Sequence, residues 1–242
     1  MEEKTFPTPA ASKPEDLSLM SRIINLFTNP SATFKAVQIR PSWLVPALIV
    51  LVLSIGSTYF LKPVILAEQH RQMVNRMEDR GMSQEQIDLA IEQGNKFMKY
   101  TFYPFAIAGI IGVLLVTAAI WLFVSRTILG GTARYAHLLE VTAYTSLISV
   151  VGALIKLPIM LQKESINVHF SLATFMADSA KDTFLYKVLV NTDLFNIWSV
   201  ALLCIGIAVV NGLKVKKVWP VVVGLLIVWY LGSAAIGKVL GG

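Results

Sequence analysis

The residues of this chain best suited to chemistry lie in one stretch, "HLLEVTAYTSLISVVGALIKLP", residues 137–158. His137 and Glu140 stand three apart, so a helix brings them to one face, where an imidazole and a carboxylate could bind a metal or relay a proton. Tyr144 follows one turn later, and Lys156 closes the stretch. A metal needs further ligands at the same depth. The other two histidines, His70 and His169, lie far along the chain, and no other apolar run supplies an acid or a histidine there. No metal site and no cofactor is therefore expected.

The placement of these charges matters more than their pairing. Between Val141 and Ile155 the run is uncharged, and at about 1.5 Å per helical residue it covers roughly 22 Å. That puts Glu140 and Lys156 near opposite faces of a bilayer core about 30 Å thick. The expectation is that His137, Glu140 and Lys156 are boundary residues whose side chains reach headgroups and water. On that reading Glu140→Gln leaves folding nearly unchanged.

Other catalytic signatures are missing from the sequence. It contains no Gly-x-Ser-x-Gly elbow, phosphate-binding Gly-x-x-x-x-Gly-Lys loop, His-Glu-x-x-His motif or cysteine cluster. Cys204 is alone and reads as a small packing residue. Polar residues within the apolar runs are Ser, Thr, Tyr and Asn, with Asn196 and Asn211 at the ends of the fourth run. An enzyme is not expected.

The elements that would position these residues follow from composition. The chain is 55% hydrophobic and 15% charged, against about 45–50% and about 25% for a soluble domain, an imbalance that lipid would absorb. The fold class read from this is all-α, a polytopic five-span helical membrane bundle. Its spans are expected at 41–61, 100–125, 138–158, 194–213 and 218–237, each near the length of about 20 residues that a crossing needs. No apolar leader precedes the charges of the first forty residues, so no cleaved signal is expected. Small residues four apart, Ala108/Gly112, Ala208/Gly212 and Ser233/Gly237, are expected where helices approach closely.

The net charge of +6 gathers at the flanks of apolar segments without interleaved aromatics, so nucleic acid is not an expected partner. Arg22, Lys35 and Arg40, then Arg126 and Arg134, then Lys214, Lys216 and Lys217 fall on one side, which the positive-inside rule makes cytoplasmic. The N terminus is expected there, in a cell's inner membrane, with the C terminus outside.

Three segments outside the spans carry local signals. Residues 1–16 are polar and Pro-rich and read as a disordered tail. In 17–40, Leu17, Met20, Ile23, Ile24 and Phe27 recur at helical spacing, and Asn29-Pro30 opens a second helix bearing Phe34 and Val37. The pair reads as amphipathic interfacial helices on the cytoplasmic leaflet. In the first long connection Gly81 ends one helix and Ser83 with Gln86 caps the next, giving an extracytoplasmic helical hairpin. The second, around Leu172, Phe175, Met176 and Ser179, is expected to be helical at the outer interface.

Three stretches resemble the bacterial form of the Ypt-interacting-protein (YIP) family: "IINLFTNPSATFKAVQIRPSWLVPALIV" (23–50), "LGGTARYAHLLEVTAYTSLISVVGALI" (129–155) and "FNIWSVALLCIGIAVVNGLKVKKV" (195–218). The resemblance implies five spans, a cytoplasmic N terminus and, for some bacterial members, an accessory role in ABC-type export systems. The Asp-Leu-Tyr-Gly-Pro signature of the eukaryotic branch is missing, so a Rab-type GTPase is not expected as a partner.

The functional expectation is a non-enzymatic membrane scaffold or accessory protein, the alternative being a pathway for a small solute, an ion or a lipid. A cytoplasmic partner surface is expected from Phe27, Phe34, Gly130, Gly131, Arg134, His137, Lys214, Lys216 and Lys217. Glu140, Tyr144, Asn196 and Asn211 are the candidate polar positions within the membrane.

Overall fold

A computed structural model describes residues 17–168, 170–176, 183, 186, 189–190 and 192–240. The expected tail over 1–16 lies outside them, as does most of 177–191, including Ser179. Among the described residues the regular structure is helical, without a strand. The α-helices are α1 (Leu19–Thr28), α2 (Pro30–Ile39), α3 (Leu44–Asp79), α4 (Gln84–Thr127), α5 (Tyr135–Gln162), α6 (Leu194–Val210) and α7 (Val215–Leu240). A single 3-10 turn, Leu172–Phe175, stands in the second long connection, and Phe175 is exposed there.

Local chemistry sets the boundaries. The Ser18 hydroxyl accepts the Ser21 amide at the start of α1, and the Asn29 side chain accepts the Ala32 amide at the start of α2, where Pro30 supplies the first helical φ. Arg40 closes α2, and Pro41-Ser42-Trp43 leads into α3. Between α3 and α4, Gly81 adopts φ 72°, a left-handed turn that glycine enters without a Cβ penalty. Ser83 and Gln86 then exchange both bonds of a capping box.

Helices α3, α4 and α5 are long and apolar enough to cross a membrane, and α6 is a shorter apolar helix of 17 residues. The 36 residues of α3 and 44 of α4 run for about 54 and about 66 Å, well beyond a hydrocarbon core of about 30 Å. The expected hairpin is thus the continuation of these two helices beyond Pro63 and Pro104. Helix α5 is the centre of the bundle, packing on α3, α4 and α6 with most of its first five turns buried.

Close helix approach falls on other glycines than the spaced pairs suggest. A Cβ on Gly206 would lie 2.6 Å from Val141, and one on Gly152 2.5 Å from Phe195, whereas one on Gly112 meets nothing within 4 Å. Ala108 is exposed, Ala208 is buried, and the side chain of Ser233 lies outside the described residues.

The N-terminal pair departs most from expectation. Leu26, Phe34 and Val37 are fully buried, whereas Met20, Ile24 and Phe27 are exposed. Helix α2 packs on α6 and α5. The Phe27 ring meets Trp198 edge-on at 5.8 Å between centroids, and Trp198 stands about 18 Å from the Val210 end of α6 at about 1.5 Å per residue. The tip of the α1–α2 hairpin therefore reaches deep along α6. Its exposed apolar face is what lipid would cover, and its tip groups bond locally, Thr28 to the Ile24 carbonyl and Asn29 to the Ala32 amide.

Candidate functional site

Insertion of α1 carries Arg22 into the bundle, where it is 3% exposed. Its Nε donates to the Leu17 carbonyl at 3.1 Å, and its Nη1 to the Arg40 carbonyl at 3.1 Å and to Glu140 Oε1 at 3.2 Å. The other Glu140 oxygen accepts the Ser42 amide. One buried ion pair thus ties α1, the 40–42 linker and α5 together. Thr33 adds a bond from its hydroxyl to the Arg22 carbonyl, 2.8 Å, which fastens α2 to α1.

This corrects the placement of Glu140. It is fully buried and reaches neither headgroups nor water. A carboxylate so placed is stabilised only by a partner and by donors for its lone pairs, and Arg22 with the Ser42 amide supplies both. Tyr144, one turn deeper, is also fully buried and stands beside the Arg22–Glu140 pair. Phe34 packs beside this cluster against Gly206, where an added Cβ would stand 3.1 Å from the ring. It belongs to the core and not to an exposed partner surface.

A second cluster joins two connections at the same end of the bundle. Asn211 Oδ1 accepts the Ala133 amide at 2.9 Å, and its Nδ2 donates to the Ile207 carbonyl at 2.8 Å and to Ser125 Oγ at 3.4 Å. Gly131 lies directly on that side chain, since a Cβ there would be 2.1 Å from Asn211 Oδ1. Lys217 Nζ donates to the Leu129 carbonyl at 2.8 Å. The Gly130-Gly131 turn is thereby latched to the α6–α7 turn, and Gly131 and Lys217 are structural contacts. His137 Nδ1 accepts the Arg134 amide at 3.1 Å and caps α5. Arg134, Lys214 and Lys216 remain exposed around the latch.

At the other end of α5, Lys156 also has an internal partner. Its ammonium lies 2.8 Å from Asp193 Oδ2 and within 6 Å of the ring centroids of Phe170 and Phe195. Asp193 in turn accepts the Phe170 and Phe195 amides at 2.7 and 3.0 Å, so it caps α6 while holding the connection before it. Asn196 is half-buried in the first turn of α6. Both charges of the opening stretch are consumed in ion pairs that join α5 to other elements. Neither partner is visible in the sequence, where the spacing makes Arg22 a topology charge.

Among the described residues no three His, Cys, Asp or Glu gather as metal ligands. The arrangement of an inserted N-terminal hairpin, a central ion-paired helix and a latched glycine turn runs through nearly the whole chain. The Yip1 domain model matches the same extent, residues 24–236. The chain belongs to the Yip1 domain family. A relative in Bacillus subtilis (strain 168), "Membrane protein YknW", is 28% identical over 223 residues, which cover 90% of this chain and 92% of the relative. No solved structure matches significantly. This Yip1-family chain is a membrane protein, as its apolar helices and its relative both indicate.

The Asp193 pair makes a pH prediction. Burial pushes the Asp193 carboxyl up, but the Lys156 hydrogen bond, the Phe170 and Phe195 amides and the Lys156 charge outweigh it and leave the group below its ordinary value of 3.8. A depressed carboxylate adds stability that is present above the unfolded value and is lost as pH falls through the folded one. Thermal unfolding in detergent should therefore show stability falling below pH 3.8, and Asp193→Asn should weaken that acid dependence while lowering stability at neutral pH. An unchanged acid limb in the variant would remove Asp193 from the account.

Proposed function

We propose that this Yip1-family membrane protein is a non-enzymatic scaffold that needs no cofactor, an accessory subunit of a membrane complex such as an ABC-type export system. The observation that supports this most is the use of its polar side chains. Arg22 with Glu140, Asn211 with the 131–133 backbone and Lys156 with Asp193 each join separate elements. Such a bundle holds a fixed shape and presents Arg134, Lys214 and Lys216 around one turn. Those charges suit anionic headgroups at about 1 kcal/mol per residue, and they equally suit an acidic protein face. The test is affinity purification in mild detergent. The parent should bring down a membrane complex that the Arg134→Gln/Lys214→Gln/Lys216→Gln variant retains several-fold less; recovery no greater than from a tag-only control would end the scaffold reading.

In this reading α3 to α7 cross the inner membrane five times, with the N terminus and the basic turns on the cytoplasmic side, the α1–α2 hairpin entering the bundle from that side, and the Gly81 hairpin and C terminus outside. Cysteines at Lys4 and Arg80, in a Cys204→Ala background, should differ in labelling when intact cells meet an impermeant thiol reagent. Only Arg80→Cys should react, and equal labelling of both rules the five-span topology out.

A second reading, a pathway for a small solute, an ion or a lipid, draws on a groove of about 830 Å³ among α3, α4, α5 and α6 whose largely apolar lining suits a lipid best of the three. Flux into liposomes holding only this protein would replace the scaffold with the pathway.

A further inference from the structure

The groove runs along α4 from Met98 to Trp121, about 34 Å at the helical rise and close to the thickness of a bilayer core. It opens sideways, because Phe105 and Val113 both line it and are strongly exposed. No ionisable side chain is among its lining residues. Its hydroxyls are largely committed: Thr142 donates to Leu138, Thr145 and Ser146 to Thr142, Thr58 to Ser54, and Ser149 pairs with Ser199. What they offer an occupant is mainly methyl and methylene surface. An ion or a polar solute would lose its hydration there without replacement.

The hairpin end of the groove differs. Phe102 lines it, and Lys62 Nζ stands 5.4 Å from the Phe102 ring centroid and 4.9 Å from that of Tyr103. No carboxylate forms an ion pair with Lys62 among the described residues. Lys62 follows Leu44, the first residue of α3, by about 27 Å, and exposed Tyr59, Phe60 and Tyr100 surround this level, as aromatic side chains do at headgroup depth. A cation at that depth, beside an apolar channel open to the bilayer, complements a phosphate at the head of a hydrocarbon chain.

We infer that the groove is a lipid site: one acyl chain of a phospholipid lies along α4 and α5, and its phosphate is met by Lys62. The inference does not rest on the scaffold reading, since a scaffold or a pathway could carry such a lipid. Gly109 makes it testable without disturbing the bundle, because it lines the groove and a Cβ there meets nothing within 4 Å. Gly112 is equally open but does not line it.

Native mass spectrometry of the full chain, reconstituted with phosphatidylglycerol and extracted in mild detergent, should show one retained lipid per chain. Gly109→Leu should reduce that occupancy about tenfold or more, by filling the space the chain takes, while Gly112→Leu keeps it. Lys62→Gln should lower the preference for phosphatidylglycerol over diacylglycerol by about fivefold, one basic residue near a headgroup. A parent that retains no lipid, or two glycine variants that lose it alike, overturns the site. A photoreactive benzoylphenylalanine at Val113 gives a readout on otherwise unaltered protein: an adduct of lipid mass supports the inference, and a covalent dimer instead would show that a second copy fills the groove.

Discussion

Glu140→Gln should cause a severe loss of folded protein, the opposite of what a boundary carboxylate would do. The substitution takes the Glu140 charge away from the buried Arg22 guanidinium, and breaking a buried pair by removing one partner costs about 3–5 kcal/mol. That is a large share of a typical stability of about 5–15 kcal/mol. Arg22→Gln should cost a similar amount, because the same interaction is lost from its other side. Replacing both by Leu removes the desolvation penalty together with the attraction, so the double variant should recover much of the loss. Recovery stays partial because the Ser42 amide loses the Glu140 carboxylate and the Arg40 carbonyl loses the Arg22 guanidinium. The check is a double-mutant cycle on thermal unfolding in detergent. Two single variants as stable as the parent would show that the pair does not hold α1 in the bundle.

Gly131→Ala has the next largest expected effect. Its Cβ would stand 2.1 Å from Asn211 Oδ1, so the Asn211 side chain must leave and the Ala133 amide loses its acceptor. The cost is about 1–3 kcal/mol for the orphaned amide, and Asn211→Ala should cost about the same. Combining the two should add little, since each breaks the same latch. Gly130→Ala is milder: its φ of 68° carries the left-handed penalty of about 1–2 kcal/mol for a residue with a Cβ. Melting temperatures of the four variants decide this. An additive Gly131→Ala/Asn211→Ala pair would mean that the latch is not the constraint on the turn.

The helices were legible in the sequence wherever a local signal fixes them. Ser83 with Gln86, Asn29 before Pro30, and Gly81 in its turn each act within a few residues and stand where spacing placed them. The family resemblance was legible for a related reason: the Asn-Pro, Gly-Gly and Asn-x-Trp segments all lie within the matched domain. The direction of α1 was not. An apolar stripe points to the core of a soluble protein, but in a bilayer both the core and the surroundings are apolar. Met20, Ile24 and Phe27 accordingly face outward, while the polar Arg22 turns inward to its acid.

The ion pairs were hidden by distance along the chain. Arg22 and Glu140 are 118 residues apart, and no periodicity relates one to the other. Lys217 and Asn211 were hidden differently, since a lysine bonded to a carbonyl across a turn has the same sequence signature as one facing solvent. The internal charge of a candidate span was itself the available clue. A carboxylate near the end of an apolar helix calls for a cation elsewhere at that depth, and Arg22 is the basic residue embedded in the apolar stripe of α1.

Insertion of the N-terminal hairpin is the central claim, and photo-crosslinking from Phe27 tests it most directly. Benzoylphenylalanine replaces the ring that meets Trp198 at 5.8 Å between centroids, and the chemistry works in lipid as well as in water. After irradiation in membranes, peptide mapping should find a crosslink to α6 around Trp198 that is greatly reduced in the Glu140→Gln background. Crosslinks confined to lipid headgroups, with none to α6 in either background, would place the hairpin flat on the surface and contradict the account.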